Sequence, residues 1–283
     1  MRAAVSLFVL CLAAVPFLAQ APAQTPARNK PLPDPAELLQ RALANEKKLA
    51  AEQERYDCRV TDQVTQTGKN GNVQKTTTEV KELFYVNGIP IERTLSKNGK
   101  ALSPGEARKQ DERVMKETLK YSNQATARKE ISEQNQQIQD FLEAMILTNG
   151  RREIENGRSV LYYDIVPDPK FHARNLYQHF AAVMRGTVSI DEQTGEIIDF
   201  NVKSVADLKI GGGLLADLHK GLWVHIHNHA EPDGVWLTDL AEGSGNARAF
   251  LFLHPYFHFN ETTGGCRLYT AKAMQVGQAK PVK

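Results

Sequence analysis

The hydrophobic pattern begins with one amphipathic helix and then changes to strands. Asp34 and Pro35 open the helix, because aspartate caps free backbone N–H groups and proline is favoured at the first helical position. Apolar residues then recur at helical spacing up to about Arg55. From Tyr56 onward, apolar and polar residues alternate with a period of two, which predicts a β-strand.

Strands joined by polar turns that contain glycine account for most of the remaining pattern. Asn87-Gly88 is the clearest hairpin turn, because both residue types tolerate the positive φ that a type I′ turn requires. Similar turns occur at 192–195 and 232–234. The strands predicted after the first are 73–86, 89–95, 160–166, 187–191, 197–202, 222–230, 235–240, 247–253 and 267–271.

Helical signals interrupt the strands in the middle of the chain. Residues 103–106 (Ser-Pro-Gly-Glu) form a capping box, which predicts a helix to about residue 120. Residues 121–135 are polar with little pattern, 138–145 fit a helix face closed by Asn149-Gly150, and 173–184 fit a short helix. The fold class predicted is α+β: one large curved antiparallel sheet, an incomplete barrel, with helices packed on one face.

The first 23 residues have the pattern of a secretory signal peptide. Arg2 is followed by an apolar run over residues 3–14, and Ala21-Pro22-Ala23 fits a small-x-small cleavage site. A transmembrane anchor would need about 20 apolar residues, whereas this run is shorter and is followed by Pro16. A lipoprotein signal would need a small residue before Cys11, where Leu10 stands. We therefore expect export to the periplasm or the extracellular space, with cleavage.

The remaining chain is predicted to hold one domain. Residues 24–34 are rich in proline and polar residues and are typical of a flexible linker. The domain is expected to cover 35–273, with a helical insert at about 103–147, and 274–283 to form a disordered tail. No second apolar run reaches membrane-spanning length, so we expect no transmembrane segment after signal cleavage.

Charge and cysteine content narrow the classes of function. The chain has 35 Lys and Arg against 33 Asp and Glu, and this balance gives no field for binding nucleic acid. Cleavage would remove Cys11 and leave Cys58 and Cys266. An even count in an oxidising compartment suggests one disulfide that joins the first strand to the last. The alternative is a pair of unpaired buried thiols.

One strand carries three histidines. His225, His227 and His229 alternate, so their imidazoles project from one face at a spacing of about 6–7 Å and could bind a transition metal. With Glu231, the run resembles the first metal motif of the cupin family, which implies a metal-dependent enzyme that uses His225, His227 and Glu231. The flanking glycines are misplaced for a cupin, and a polar sheet face is the plainer interpretation.

The sequence favours a binding protein over an enzyme, and we expect no cofactor. It has no Gly-x-Ser-x-Gly motif, and the Gly211-Gly212-Gly213 run lacks the Lys-Ser/Thr of a phosphate-binding loop. Several aromatic residues fall on predicted strands, as in an ordinary sheet core or the lining of an apolar cavity. The residues predicted to line such a cavity are Phe84, Trp223, Trp236, Phe250 and Phe252.

The hairpin pattern resembles the periplasmic outer-membrane lipoprotein-carrier (lipoprotein-sorting) superfamily. The likeness covers roughly residues 36–271. It rests on Tyr56–Thr65, the hairpin at Phe84–Gly88, Gly186–Glu196, Lys220–Trp223 and Asp233–Leu237.

That resemblance implies an incomplete β-barrel under helices, with a cavity for acyl chains and no catalytic residues. The predicted function is therefore an exported protein that holds a lipid, or the acylated end of a lipoprotein, without a covalent bond. The alternatives are the cupin-like enzyme and a scaffold or sensor domain that binds another envelope protein.

Overall fold

A computed structural model describes residues 30–68, 70–210, 216–249 and 256–268. Four helices lie within these ranges: α1 Pro35–Gln53, α2 Pro104–Ser122, α3 Gln124–Glu143 and α4 Leu176–Val183. The strands are β1 Tyr56–Thr67, β2 Val73–Val86, β3 Ile89–Lys97, β4 Lys100–Ala101, β5 Met145–Glu155, β6 Arg158–Pro167, β7 Met184–Asp191, β8 Ile197–Ser204, β9 Leu208–Ile210, β10 Ala216–Leu218, β11 Trp223–Ala230, β12 Trp236–Ala249 and β13 Tyr256–Leu268.

The strands form one antiparallel sheet, which confirms the predicted α+β class. The order is β4-β3-β2-β1-β13-β12-β11-β8-β7-β6-β5, with the short β10 and β9 attached to β12. Within the described ranges, β4 and β5 are end strands that do not pair with each other, so the sheet is open. The first and last long strands, β1 and β13, are neighbours in its middle.

Helix α3 shows how strongly the sheet curves. The Asn87 side chain donates to the Tyr121 carbonyl (2.7 Å), which places the start of α3 near the β2–β3 turn. Its other end leads through Ala144 into β5, the far end strand. In a flat sheet, nine strand spacings of about 4.8 Å would put β3 and β5 about 43 Å apart. The 20 residues of α3 span only about 30 Å, so the sheet bends around the helix.

The main core lies between the helices and the inner face of the sheet. Leu38 of α1, Leu142 of α3 and Ala181 of α4 pack on buried strand residues such as Leu161 and Val202. This arrangement confirms the prediction that helices cover one face. Helix α2 contacts β2 and β3 near the open end of the sheet, where Asp111 pairs with Arg93 (2.5 Å). None of the helices in the described ranges has the length and apolar character of a membrane span.

Helix α1 is attached at both ends to hairpin turns. Near its start, Arg41 donates to the Glu192 carbonyl (3.0 Å) in the β7–β8 turn. Near its end, the Gln53 amide donates to the Trp236 carbonyl (3.2 Å) at the start of β12. Asp34 accepts from the backbone N–H groups of Ala36 and Glu37, which is the predicted N-cap. These contacts fix α1 across the inner side of the sheet.

A disulfide joins Cys58 to Cys266, as the cysteine count suggested. The Cα atoms are 4.1 Å apart, and the bond links β1 to β13 at an irregularity in their pairing. Cys58 belongs to a small buried cluster with Tyr56, Val235 and Leu237. The first and last strands are therefore linked covalently as well as by backbone hydrogen bonds.

The structure differs from the sequence predictions mainly around α3 and near the C-terminus. Residues 124–143 form one continuous helix capped by Asn123, because Ala, Arg, Glu and Gln are good helix formers even without an apolar stripe. Met145 starts β5 rather than ending the helix, and Asn149-Gly150 sits at a bulge in that strand. Strand β13 starts at Tyr256, well before the predicted 267. The predicted signal peptide and C-terminal tail lie outside the described residues.

Candidate functional site

Helix α3 is packed against the rest of the protein at both ends, and its middle is more exposed to solvent. Ala127 is fully buried and Leu142 is 8% exposed, whereas Ile138 is 39% exposed. At 100° per residue, Ile138 lies about 20° around the helix from Ala127 and about 40° from Leu142, on the same inward stripe. A side chain on the inward stripe that is 39% exposed is covered less than its neighbours on that stripe. The middle of α3 is therefore covered less than its two ends.

A depression of about 390 Å³ runs along the flank of this uncovered segment. It extends over the central turns of α3 and shares Ile131 with the inward stripe. The described residues that line it include no carboxylate and are Arg128, Ile131, Ser132, Asn135, Gln136 and Gln139. We call this depression, together with the uncovered helix segment 128–139 that lines it, the α3 groove.

The inner face of the sheet continues from the main core as a half-buried aromatic surface. Phe257 packs against the core, and its ring is stacked with that of Phe259 (centroids 6.3 Å apart). Phe259 lies opposite Gly243, where an added Cβ would be only 2.6 Å from the ring. Glycine at 243 thus lets the aromatic ring lie flat across the neighbouring strand. The result is an apolar surface that packing inside the protein does not fully cover.

Charged side chains follow on the same inner face. Lys81 binds Asp62 (3.2 Å) and Glu92 (2.8 Å). Glu261 lies opposite Asp62 in register, and burial together with the nearby Glu92 carboxylate raises the pKa of Glu261. The inner face therefore changes from aromatic to charged along β13.

The aromatic residues predicted to line a cavity do not share one surface. Trp223 alternates with the inward Val224, so it lies on the outer face, beside the His258 ring (centroids 6.3 Å apart). Trp236 is buried, with the Arg158 guanidinium 5.1 Å from its ring centroid. Phe84 pairs with Ile91 and alternates with Leu83, which packs in the small cluster around Cys58. Phe250 and Phe252 lie outside the described residues.

The three histidines lie along β11, and each contacts at least one carboxylate. His225 Nε2 donates to Asp199 (2.8 Å) and its Nδ1 to Glu242 (3.2 Å). His227 Nδ1 donates to Asp239 (2.5 Å). A bulge after His227 leaves Asp239 without a register partner, which turns its carboxylate toward the histidines. His229 Nε2 donates to Glu231 (3.1 Å).

This arrangement does not assemble the predicted metal ligands. In the part of the chain that the structure describes, no three His, Cys, Asp or Glu side chains are grouped to hold a metal ion. The physical reason lies in the neighbouring strands, whose carboxylates bind the ring nitrogens: Asp199 and Glu242 contact His225, and Asp239 contacts His227. Asp239 lies near both His227 and His229, and Glu231 contacts only His229 among the three histidines.

The surroundings of His225 favour a positive charge. Partial burial disfavours the charged form, but the hydrogen bonds to Asp199 and Glu242 outweigh it and raise the pKa of His225 above its ordinary value. Both ring nitrogens face carboxylate oxygens, which only the imidazolium can satisfy with two N–H donors.

We expect NMR titration to find His225 with a pKa above 6.5 that falls toward 6.5 in Asp199→Asn. Since the folded pKa is raised, the stabilisation is present in full below about pH 6.5 and is lost as pH rises through the folded pKa. For a half-exposed pair we expect no more than about 1 kcal/mol. Asp168→Asn, at a carboxylate remote from β11, is the control. A wild-type midpoint at or below 6.5 would contradict the expectation.

Sequence reasoning missed the α3 groove. The pattern identified Ile138 as part of a helix face, but its exposure depends on where the two ends of α3 are seated. Arg128 and Ile131 fall in the stretch read as weakly patterned. The sequence places Phe259 on a strand or strand end, but the Thr-Thr-Gly-Gly run near 262–265 hides how far that strand extends. The pairing of Gly243 with Phe259 is the feature that indicates this aromatic surface. It can be recognised only when the register of β12 and β13 is known.

Comparison with known proteins yields structural likenesses at low sequence identity. No family model matches the chain, and no curated protein matches it. One similar structure is an outer-membrane lipoprotein-sorting protein domain from Vibrio parahaemolyticus, with 12% sequence identity and a TM-score of 0.33. The match covers 82% of this chain and 94% of that one. A DUF1329 family protein from Desulfovibrio piger is 8% identical with a TM-score of 0.30, covering 84% and 95%.

A third similar structure is MucB in complex with MucA(peri), at 11% identity and a TM-score of 0.20, covering 84% of this chain and 100% of that one. Scores this low carry no argument about function. Solved structures similar to this chain thus include a lipoprotein-sorting domain, the class that its hairpin pattern resembles.

Proposed function

We propose that this protein is an exported binding protein that holds an apolar ligand, a lipid or an acyl chain, between the middle of α3 and the inner face of the sheet. The observation that carries the proposal is the exposure of Ile138 between buried Ala127 and Leu142 on one helix face. Export rests on the signal-like pattern of residues 1–23.

The surfaces around the middle of α3 suit an apolar chain. Ile131 and Ile138 present aliphatic side chains from α3, and the inner sheet face offers the stacked rings of Phe257 and Phe259. Covering exposed apolar area is favourable by about 25 cal/mol per Å². A ligand bound there would remove this area from water without requiring the packed ends of α3 to move.

The test is binding of N-phenyl-1-naphthylamine, an apolar dye that is uncharged at neutral pH and fluoresces when it leaves water. We expect the wild-type chain to bind it, and Ile138→Asp to weaken binding at least about tenfold, or ~1.4 kcal/mol, because the change places a carboxylate at the middle of α3.

Leu119→Asp is the matched control, since Leu119 is 69% exposed on α2 and outside the groove. It should leave dye binding unchanged, and thermal unfolding of both variants should show that α3 is intact. Absence of a fluorescence increase with wild-type protein, or equal losses in the two variants, would refute the proposal.

A further inference from the structure

We infer that the ligand of the α3 groove is an anionic amphiphile, an acyl chain that ends in a carboxylate or phosphate, and that Arg128 binds its head group. This inference rests on the proposed function and specifies the ligand class. The juxtaposition that carries it is a cation, Arg128, beside an aliphatic side chain, Ile131, in one depression, with exposed Ile138 further along the same helix.

The charge of the groove favours an anion. Arg128 is the only charged side chain among the described residues that line the depression. Ser132 and Asn135 can each donate a hydrogen bond to an oxyanion. The amides of Gln136 and Gln139 already donate to Asp140 (3.1 Å) and Glu143 (2.7 Å), which leaves each a second N–H. An anionic group placed there would meet donors and a positive charge, with no lining carboxylate to repel it.

Arg128 also differs from Lys129, the other cation of α3. Four cations on α2 and α3 have carboxylate partners in the helical hairpin, in the pairs Arg108–Glu112, Arg113–Glu117, Lys120–Glu130 and Lys129–Glu133. Arg128 has no ion pair or hydrogen bond with a described residue, and its side chain is exposed. Its planar guanidinium can bind a carboxylate or phosphate through two parallel N–H donors.

The aliphatic residues near Arg128 determine where the apolar part of the ligand would lie. Ile131 is three residues from Arg128, so the two side chains are neighbours on the helix surface, about 5–6 Å apart at Cβ. Ile138 continues the aliphatic surface two turns further along α3. A head group at Arg128 would therefore direct its chain along Ile131 toward Ile138. The volume of about 390 Å³ is within the range of small-ligand sites.

Four probes with the same twelve-carbon chain test the inference: dodecanoate, dodecyl phosphate, dodecanol and dodecylamine. We expect calorimetric titration of the full-length wild-type chain, at probe concentrations below micelle formation, to show at least tenfold tighter binding of the two anions than of the alcohol. Dodecylamine should bind more weakly than the alcohol. Comparing carboxylate with phosphate identifies which head group fits better.

The variant Arg128→Gln should reduce the affinity for both anions to the level of dodecanol and leave dodecanol binding unchanged. Lys129→Gln is the matched control, because Lys129 is the adjacent cation, pairs with Glu133 and does not line the depression. It should change nothing. Equal loss in both variants would show a general effect of helix charge and would overturn the role of Arg128.

The outcomes separate this inference from the proposed function. Equal wild-type affinity for anion and alcohol would overturn the anionic head group while leaving apolar binding in place. Failure of all four probes, together with the naphthylamine dye, would overturn both. Retention of the anion preference in Arg128→Gln would place the head group elsewhere and overturn the assignment to Arg128.

Discussion

Removing the Cys58–Cys266 disulfide is expected to lower the free energy of unfolding by about 3–5 kcal/mol. The bond links residues 208 positions apart, and a cross-link over so long a loop restricts the unfolded chain. The chain-entropy model gives about 5 kcal/mol for a loop of that length. Cys58 is also buried against Tyr56 and Leu237, so replacing it removes packing as well.

Urea denaturation of the oxidised protein, the reduced protein and the double variant Cys58→Ala/Cys266→Ala measures the effect. The double variant controls for the reductant, because its unfolding should not respond to reduction. It should be less stable than the reduced wild type, since it also loses the packing of Cys58. Equal urea midpoints for oxidised and reduced wild-type protein would show that the bond adds no stability.

Replacing Arg152 by methionine is expected to lower the free energy of unfolding by about 3–5 kcal/mol, because it leaves the Glu192 carboxylate, which is only 17% exposed, without its counter-charge. The Arg152 side chain is only 2% exposed and binds Glu192 through two hydrogen bonds of 2.7 and 2.6 Å. It also donates to the carbonyls of Lys30 and Pro31, which holds the segment before α1 against β5. Its hydrogen bonds hold the pKa of Glu192 below the ordinary value, against the opposing effect of burial.

Two further variants test whether the loss of stability in Arg152→Met comes from the unpaired Glu192 carboxylate. Arg151→Met is the matched control, because the adjacent Arg151 is 59% exposed and its pair with Glu153 should contribute less than about 1 kcal/mol. Arg152→Met with Glu192→Met should recover much of the lost stability, since a buried ion pair can often be replaced by apolar residues at little cost. Chemical denaturation that ranked Arg151→Met and Arg152→Met as equally destabilising would contradict this account.

Local chemistry made the start of the fold predictable. Asn87 and Gly88 have φ values of 50° and 81°, as the hairpin prediction requires, and the caps at Asp34 and Ser103 form as expected. Positions decided by distant partners could not be predicted. Strand β13 contains polar residues and two glycines, and its identity as a strand comes from pairing with β1 and β12 on both sides.

The candidate site depended even more on tertiary structure. Alternation separates Trp223 from Val224, and the apolar residues beside Val224 indicate that its face is the core face, as the structure has it. By contrast, the spacing of the histidines on β11 gives no information about the carboxylates that β8 and β12 supply. No sequence pattern identifies Arg128 as a binding residue. Among the described residues it has no ion pair, and only its position beside the depression suggests a role in binding.

The pairing of β1 with β13 also determines when the sheet can be completed during synthesis. At about 5–20 residues per second, Cys58 is made roughly 10–40 s before Cys266. Throughout that interval β1 is an edge strand, and exposed edges invite pairing with other chains. Its sequence, YDCRVTDQVTQT, is dominated by threonine, glutamine and charged residues. A strand of this composition has little tendency to aggregate while its β13 edge is unpaired. Once β13 has paired with β1, the Cys58–Cys266 disulfide links the two strands covalently.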